Sequence, residues 1–125
     1  MVIPAEIRAE LRAHAQEEAP NECCGLLLFR DGVAERYVRG VNTLASPYRY
    51  ELYIDPIVWS DLGEDEELEQ AIFHSHPETE PKPSRTDREN IGEWAGNPYV
   101  IYGLRLDELR AWSVSRDSAD EIVID

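Results

Sequence analysis

The sequence is poor in positive charge and in cysteine, and it has no long apolar segment. Its 125 residues carry 26 acidic side chains against 12 basic ones, and Lys82 is the single lysine. A net charge of −14 repels the nucleic-acid backbone, so binding to DNA or RNA is disfavoured. No run approaches the roughly 18 consecutive apolar residues of a transmembrane helix, which predicts no membrane partner. Solubility, a high-salt cytoplasm and a basic partner all remain open as reasons for the acidic surface.

The cysteines and the N-terminal residues both favour a cytoplasmic protein. Cys23 and Cys24 are adjacent, a poor geometry for a disulfide between them, and the sequence has no other cysteine. We expect two reduced thiols at the start of a buried strand. A nucleophilic cysteine is the less favoured interpretation, because no charged partner for a thiolate is evident. The first residues include early acids and lack the basic-then-apolar pattern of a signal peptide.

The apolar pattern predicts one α/β domain over residues 1–125, with a mixed sheet flanked by helices. Helical spacing from Ile3 to Ala15 predicts an opening helix over about the first 18 residues. His14 on this helix is expected to be a packing or partly exposed residue, not a metal ligand. A short helix is expected after Asp55, and another over 84–95, before Gly96. Strands are predicted at 24–29, 33–41, 48–54, 71–74, 99–104, 109–114 and 121–124.

Two of the three histidines, His74 and His76, lie two residues apart at the end of a predicted strand. Because side chains in a strand alternate with a period of 2, both imidazoles point to the same side of the sheet. Asp87 follows at a distance that one loop can close, as a third ligand. Two histidines and one carboxylate leave the fourth tetrahedral position free for water, as in catalytic zinc sites. The pattern predicts a metal hydrolase with one Zn²⁺ per chain.

Each part of this pattern also has an ordinary structural interpretation. A His-x-His pair occurs on strand ends without a metal, and Ser84 with Asp87 fits a helix capping box. Glu22, at the mouth of the first buried strand, is the best candidate for the base that amide hydrolysis needs. Its alternative is a solvated acid in a loop that already contains Glu17 and Glu18.

Together these residues resemble the JAMM (MPN+) metalloprotease family, whose signature is an upstream Glu, then His-x-His, ten residues and Asp. Residues 77–86 supply the ten-residue gap without insertion or deletion. The resemblance spans nearly the whole chain and implies a small α/β sandwich of the cytidine-deaminase-like type. It implies that three residues bind Zn²⁺, that Glu22 activates water and passes its proton to the leaving amine, and that Ser84 donates a hydrogen bond to the oxyanion. The implied zinc ligands are His74, His76 and Asp87.

The same resemblance implies a substrate. Members of the family cut the amide or isopeptide bond after the Gly-Gly tail of ubiquitin or a ubiquitin-like protein. The segment between Glu22 and His74 is short, as in prokaryotic members. The run Pro-Asn-Glu-Cys-Cys-Gly-Leu-Leu resembles the subgroup that releases cysteine from a sulfur-carrier protein in cysteine biosynthesis, although Pro77 stands where that subgroup has threonine. The implied partner is a small ubiquitin-like or sulfur-carrier protein with a Gly-Gly C-terminus.

Two other functions compete with cysteine release. One is a general deconjugating isopeptidase that acts, like a deubiquitinase, on ubiquitin-like protein conjugates. The other is a zinc-stabilised module that binds a carrier protein with little turnover. A zinc deaminase is excluded, because no Pro-Cys-x-x-Cys ligand pair accompanies the histidines. The carrier, the group on the leaving side of the bond and the oligomeric state stay undefined. Tyr48, Tyr50 and Trp59 are equally compatible with a groove and with a core.

Overall fold

A six-stranded mixed sheet lies at the centre of the molecule. The computed structural model describes all residues, 1–125. Its helices are α1 (Ala5–Glu18), α2 (Pro56–Gly63) and α3 (Arg85–Glu89), with a 3₁₀ turn at Gly92–Trp94. Its strands are β1 (Cys24–Arg30), β2 (Val33–Arg39), β3 (Val41–Asn42), β4 (Leu52–Tyr53), β5 (Glu69–His76), β6 (Pro98–Gly103), β7 (Glu108–Val114) and β8 (Ala119–Ile122). None of the helices combines the length and the apolar character that crossing a membrane requires.

The strand order in the main sheet is β2-β1-β5-β6-β7-β8, and β3 pairs with β4 in a separate two-stranded sheet. Strands β5 and β6 are parallel, and every other neighbouring pair is antiparallel. The predicted mixed sheet flanked by helices is therefore confirmed. Strand β5 lies between β1 and β6 and has neighbours on both sides, so its end is held rigidly.

One face of the sheet packs against α1. Ile7 and Leu11, one helical turn apart, are buried with Phe73 and other sheet residues in the largest core cluster. His14 lies on the same stripe of α1 and is 3% exposed. Its Nδ1 atom is 2.7 Å from the hydroxyl of Tyr37. His14 is thus a packed residue, as predicted, and it is not in the group that could hold a metal.

The opposite face is covered by α2 and by the segment that follows α3. Leu62 of α2 is buried with Leu26 and Leu28 of β1, and Ile91 is buried with Ile72 of β5. Since strand residues alternate between faces, the histidines of β5 lie on this same face. The predicted ligands therefore emerge beside α3, at the C-terminal end of a central strand.

Four predicted elements differ from the structure. The strand predicted at 33–41 ends at Arg39, and Val41 belongs to β3 in the separate sheet. The strand predicted at 48–54 is reduced to β4, and the residues before it form a loop. The helix predicted over 84–95 ends at Glu89 and continues as a separate 3₁₀ turn, because Gly92 has φ of 51°, outside the right-handed helical region. The last strand runs from Ala119 to Ile122 and pairs with β7, two residues earlier than predicted.

Candidate metal centre

Three side chains converge at the end of β5. The Nε2 atoms of His74 and His76 are 3.0 Å apart, and Oδ2 of Asp87 lies 3.3 Å and 3.1 Å from them. All three residues are buried, with at most 4% exposure. Atoms bound at about 2.0–2.1 Å to a tetrahedral ion lie about 3.3 Å apart, so these atoms are spaced as ligands of one small cation. Together with Glu22, they form one group whose ligand atoms lie within 4.8 Å of one another.

Hydrogen bonds orient two of these ligands. Nδ1 of His76 is 2.9 Å from the Glu80 carbonyl oxygen and donates to it, which leaves Nε2 as the metal-binding atom. Oδ2 of Asp87 accepts from the Ser84 N–H at 2.9 Å, and the Asp87 N–H donates to Ser84 Oγ at 3.0 Å. These two bonds form the predicted capping box of α3. The capping box and the ligand role are therefore compatible, because the cap fixes the carboxylate beside the histidines.

The buried polar atoms of the group fit a bound cation. Oε1 of Glu22 and Nδ1 of His74 are buried and have no hydrogen-bond partner. Burial lowers the pKa of His74 and so keeps its imidazole neutral, the form that binds metals. Burial opposes ionisation of Asp87, but the contacts with His74, His76 and the Ser84 N–H hold its pKa well below its usual range. The group combines one buried carboxylate with two imidazole rings, a suitable donor set for zinc.

The backbone just before β1 brings Glu22 to this group. Ser75 N–H donates to the Cys23 carbonyl at 3.0 Å, and Cys23 N–H donates to Ser75 Oγ at 2.9 Å, so the chain just after Glu22 is tied to β5. Oε1 of Glu22 is 3.9 Å from Nε2 of His74, farther than the spacing among the three ligand atoms. Glu22 is 3% exposed, and burial raises its pKa to about 8. It is a buried acid beside the ligands, not a solvated loop residue.

Cys23 and Cys24 are the remaining reactive groups near the site. Both are free and buried, and burial raises the pKa of each thiol to about 12. A thiol with so high a pKa is a poor nucleophile near neutral pH. The burial expected from the sequence is confirmed, and the structure favours packing over catalysis for both residues.

Asn42 is a site residue that the sequence did not single out. Its Nδ2 donates to the carbonyl oxygens of Glu22 at 3.0 Å and Arg49 at 3.1 Å. Its Oδ1 accepts from the N–H groups of Leu44 and Glu51, each at 3.1 Å. One side chain thus fastens the loop 43–51 and ties it to the backbone of Glu22. The only signal in the sequence is the frequent use of asparagine in turns, which does not identify these partners.

Tyr50, on the loop fastened by Asn42, packs on a metal-ligand candidate. Its ring stacks on the imidazole of His74 with centroids 4.5 Å apart and an interplanar angle of 24°. Its hydroxyl is 2.8 Å from the hydroxyl of Tyr99. Of the other two aromatic residues left open by the sequence, Tyr48 is 82% exposed, and Trp59 of α2 packs towards Trp94. Tyr50 therefore belongs to the metal centre.

Comparison with known proteins identifies the family. Residues 4–115 match the family model described as prokaryotic homologs of the JAB domain. The chain is 36% identical over 121 residues to the CysO-cysteine peptidase of Mycobacterium tuberculosis, and the alignment covers 91% of this chain and 82% of that protein. The chain belongs to the prokaryotic JAB family. This JAB-family chain is also 33% identical over 108 residues to the desampylase of Haloferax volcanii, with 79% of this chain and 77% of the relative covered.

Further relatives agree with the JAB assignment. A probable TtuB-protein conjugate cleaving protease of Thermus thermophilus is 33% identical over 128 residues, with 99% of this chain and 82% of the relative covered. A solved structure from Desulfitobacterium hafniense superposes with a TM-score of 0.81 at 28% identity, covering 99% of this chain and 90% of that one. A JAB1/MPN domain protein from Archaeoglobus fulgidus, at 16% identity and a TM-score of 0.65, shares the fold over 100% of this chain and 97% of its own. The predicted JAMM/MPN family and its metallopeptidase class are confirmed.

The stack on His74 makes Tyr50 a residue whose truncation should weaken metal binding. In metal sites, the second ring nitrogen of a histidine ligand usually donates a hydrogen bond that holds the ring in place. Nδ1 of His74 has no such partner, so packing against Tyr50 holds this ring instead. We expect Tyr50→Leu to raise the dissociation constant for Zn²⁺ by about tenfold, and Tyr50→Phe to change it little. Competition with a chromophoric chelator measures both constants. Equal zinc affinity in the Leu variant and the native chain would contradict a positioning role for the ring.

Proposed function

We propose that this chain is a zinc-dependent peptidase. In this proposal it hydrolyses the amide bond after the C-terminal Gly-Gly of a small ubiquitin-like sulfur-carrier protein and releases cysteine. The observation that carries it is the buried acid Glu22 next to a ligand set of His74, His76 and Asp87. A metal site used only for structure needs no unpartnered carboxyl group beside its ligands. We assign the activity to the cytoplasm, where Cys23 and Cys24 remain reduced.

Each residue of the group has a defined part in this proposal. His74, His76 and Asp87 hold Zn²⁺, which when bound polarises the scissile carbonyl and makes water more acidic. The charge of the bound ion would offset the burial that raises the pKa of Glu22, because an adjacent cation favours the ionised carboxylate. Glu22 then takes a proton from the attacking water and delivers it to the leaving amine, since its carboxyl lies beside the ligands and outside their set. The zinc ion thus needs only three protein ligands, and the acid stays free to move protons.

Ser84 combines the helix cap with a second part in the reaction. Its Oγ accepts the Asp87 N–H, so the hydroxyl proton itself is not used by the cap. The residue is exposed, which leaves this proton available to the substrate. We assign Ser84 to donate a hydrogen bond to the oxygen that becomes negative when water attacks the carbonyl. One such donor is worth about 3 kcal/mol of transition-state stabilisation.

The substrate assignment is supported by the relatives. The CysO-cysteine peptidase is similar over 91% of this chain, and its name states a CysO–cysteine substrate. A general deconjugating isopeptidase is the second candidate, because the Haloferax volcanii and Thermus thermophilus relatives are named as a desampylase and a conjugate-cleaving protease. The two candidates differ in the leaving group, a free amino acid in one and a protein lysine in the other.

A direct competition between leaving groups tests the assignment. The zinc-loaded protein is incubated with equal concentrations of a Gly-Gly-ended carrier joined to cysteine and the same carrier joined by an isopeptide bond to a protein lysine. We expect the cysteine adduct to be cleaved first, with free carrier and cysteine detected by intact-mass measurement. Faster cleavage of the isopeptide-linked conjugate would replace cysteine release by general deconjugation. Cleavage of neither substrate would reject the peptidase itself.

A further inference from the structure

A cavity opens directly beside the metal centre. It has a volume of about 410 Å³ and is bordered by Asp87 on one side and by the loop that carries Arg49 and Tyr50 on the other. Ile72 and Trp94 give it an apolar wall. Ligand pockets of this size combine apolar walls with a few polar groups that fix orientation. A group released at the metal centre therefore has a lined space next to it.

Arg49 is the one basic residue that lines this cavity. It is exposed and forms no ion pair, whereas five of the other ten arginines are paired with acids. The acids that share the cavity are engaged elsewhere. Oε1 of Glu51 accepts from the Thr43 hydroxyl at 2.9 Å, and Asp87 belongs to the metal centre. A guanidinium without an ion-pair partner thus lines a cavity in an otherwise strongly acidic protein.

The backbone of Arg49 is held in place at its carbonyl group and by the residue that follows. Its carbonyl oxygen accepts from Asn42 Nδ2, whose other bonds fix Glu22 and Glu51. The next residue, Tyr50, is stacked on His74. The base of the Arg49 side chain is therefore positioned by the same contacts that position the candidate catalytic group. Only the side chain itself has to order when an anion binds.

We propose that Arg49 binds the α-carboxylate of the leaving amino acid. The cavity then selects a carrier whose Gly-Gly end is joined to a free amino acid over one joined to a lysine side chain. In an α-linked adduct the carboxylate is attached to the same carbon as the scissile nitrogen, so it enters the cavity with the leaving group. A lysine in a protein has its α-carboxyl in a peptide bond and offers no such anion. The guanidinium group suits this task, since its planar fork matches a carboxylate.

This inference rests on the proposed peptidase function and is tested through charge. The substrate is the carrier–cysteine adduct, prepared with a free carboxylate and as the C-terminal carboxamide. For the native chain we expect kcat/KM to be about tenfold higher for the carboxylate. Arg49→Gln is expected to remove this preference by lowering kcat/KM only for the carboxylate substrate. Arg49→Lys is expected to retain part of the preference. The control is Arg116→Gln, which removes an exposed and unpaired arginine from the turn between β7 and β8 and should keep the full ratio.

Binding separates this inference from the peptidase proposal. The affinities of both adducts for Glu22→Gln, measured by calorimetry, report carboxylate recognition without turnover. One outcome is that the native chain cleaves neither adduct, while the carboxylate form binds more tightly than the carboxamide and Arg49→Gln removes this difference in affinity. The hydrolysis proposal then fails and the Arg49 site stands. If the native chain shows no preference for the carboxylate, or Arg49→Gln leaves the preference unchanged, the Arg49 site is rejected. Cleavage of both adducts at the same rate would reject the Arg49 site and leave the peptidase proposal standing.

Discussion

Glu22→Gln is expected to lower the rate of carrier–cysteine hydrolysis by about 10³-fold while the protein keeps one zinc ion per chain. Glutamine has nearly the shape of glutamate but cannot take a proton from water. The zinc content should be unchanged, because Oε1 of Glu22 is 3.9 Å from Nε2 of His74 and lies outside the set of ligand atoms. Single-turnover kinetics and metal analysis of the same sample measure the two quantities. This result would separate a proton carrier from a metal ligand.

The fold of this variant should not be weakened. Glu22 is buried, and its Oε1 has no hydrogen-bond partner, so a neutral amide replaces a group that is costly to ionise there. The metal-free melting temperature should therefore equal or exceed that of the native chain. Glu18→Gln is the matched control, since it removes an exposed acid at the end of α1 and should keep full activity. A Glu22→Gln protein with more than a tenth of native activity would exclude Glu22 as the base.

The parts of the site that follow local rules were predictable from the sequence. The period of 2 in a strand placed His74 and His76 on one face, and the structure brings their Nε2 atoms to 3.0 Å. The capping box predicted for Ser84 and Asp87 is present, and it holds the carboxylate beside the histidines. The position of Glu22 also followed, because an apolar strand of this kind usually lies near the centre of a sheet, and β1 does pair with β5.

The loop 43–51 was not predictable for a physical reason. Alternating residues at 48–54 predicted a strand, but the loop is fixed by tertiary contacts that have no local pattern. Asn42 bonds to a residue twenty positions earlier and to residues up to nine positions later. Tyr50 is stacked on a ring twenty-four positions away, and this contact outweighs the preference of tyrosine for a strand. These long-range contacts place Arg49 at the cavity, where the sequence offered no signal.

The candidate metal centre also links stability to function, because its proposed ligands are buried side chains from two different elements, a central strand and α3. His74 and His76 end a central strand, and Asp87 lies in the first turn of α3. A cation bound to all three side chains cross-links the sheet to α3. Without the cation, the same side chains contact one another directly. A ligand that binds only the folded state stabilises it by about 4 kcal/mol at a thousandfold excess over its dissociation constant. For a chain of 125 residues, this corresponds to a rise in melting temperature of about 10 °C or more.

Removal of the metal should therefore lower both the melting temperature and the activity. We expect a strong chelator to reduce the melting temperature of the native chain by about 10 °C and its activity to background, with both restored by one equivalent of Zn²⁺. His76→Ala should show no difference between chelator and Zn²⁺, because the ligand set is incomplete. His14→Gln is the matched control, since His14 is equally buried but lies beside Tyr37 on the other face of the sheet. It should lose some stability yet keep the full zinc-dependent shift.

The two readouts together distinguish the functions that the site allows. A peptidase loses activity and stability at the same zinc occupancy, because the same three side chains serve both. A carrier-binding module would show the stability shift with no hydrolysis to lose, since a closed structural site needs neither Glu22 nor an open fourth position. If His76→Ala kept the zinc-dependent shift, another group would have to replace its imidazole. Within the described group only Glu22 is close enough to do so. In that case Glu22 would bind the metal, and the assignment of Glu22 as a free base would fail together with that of His76.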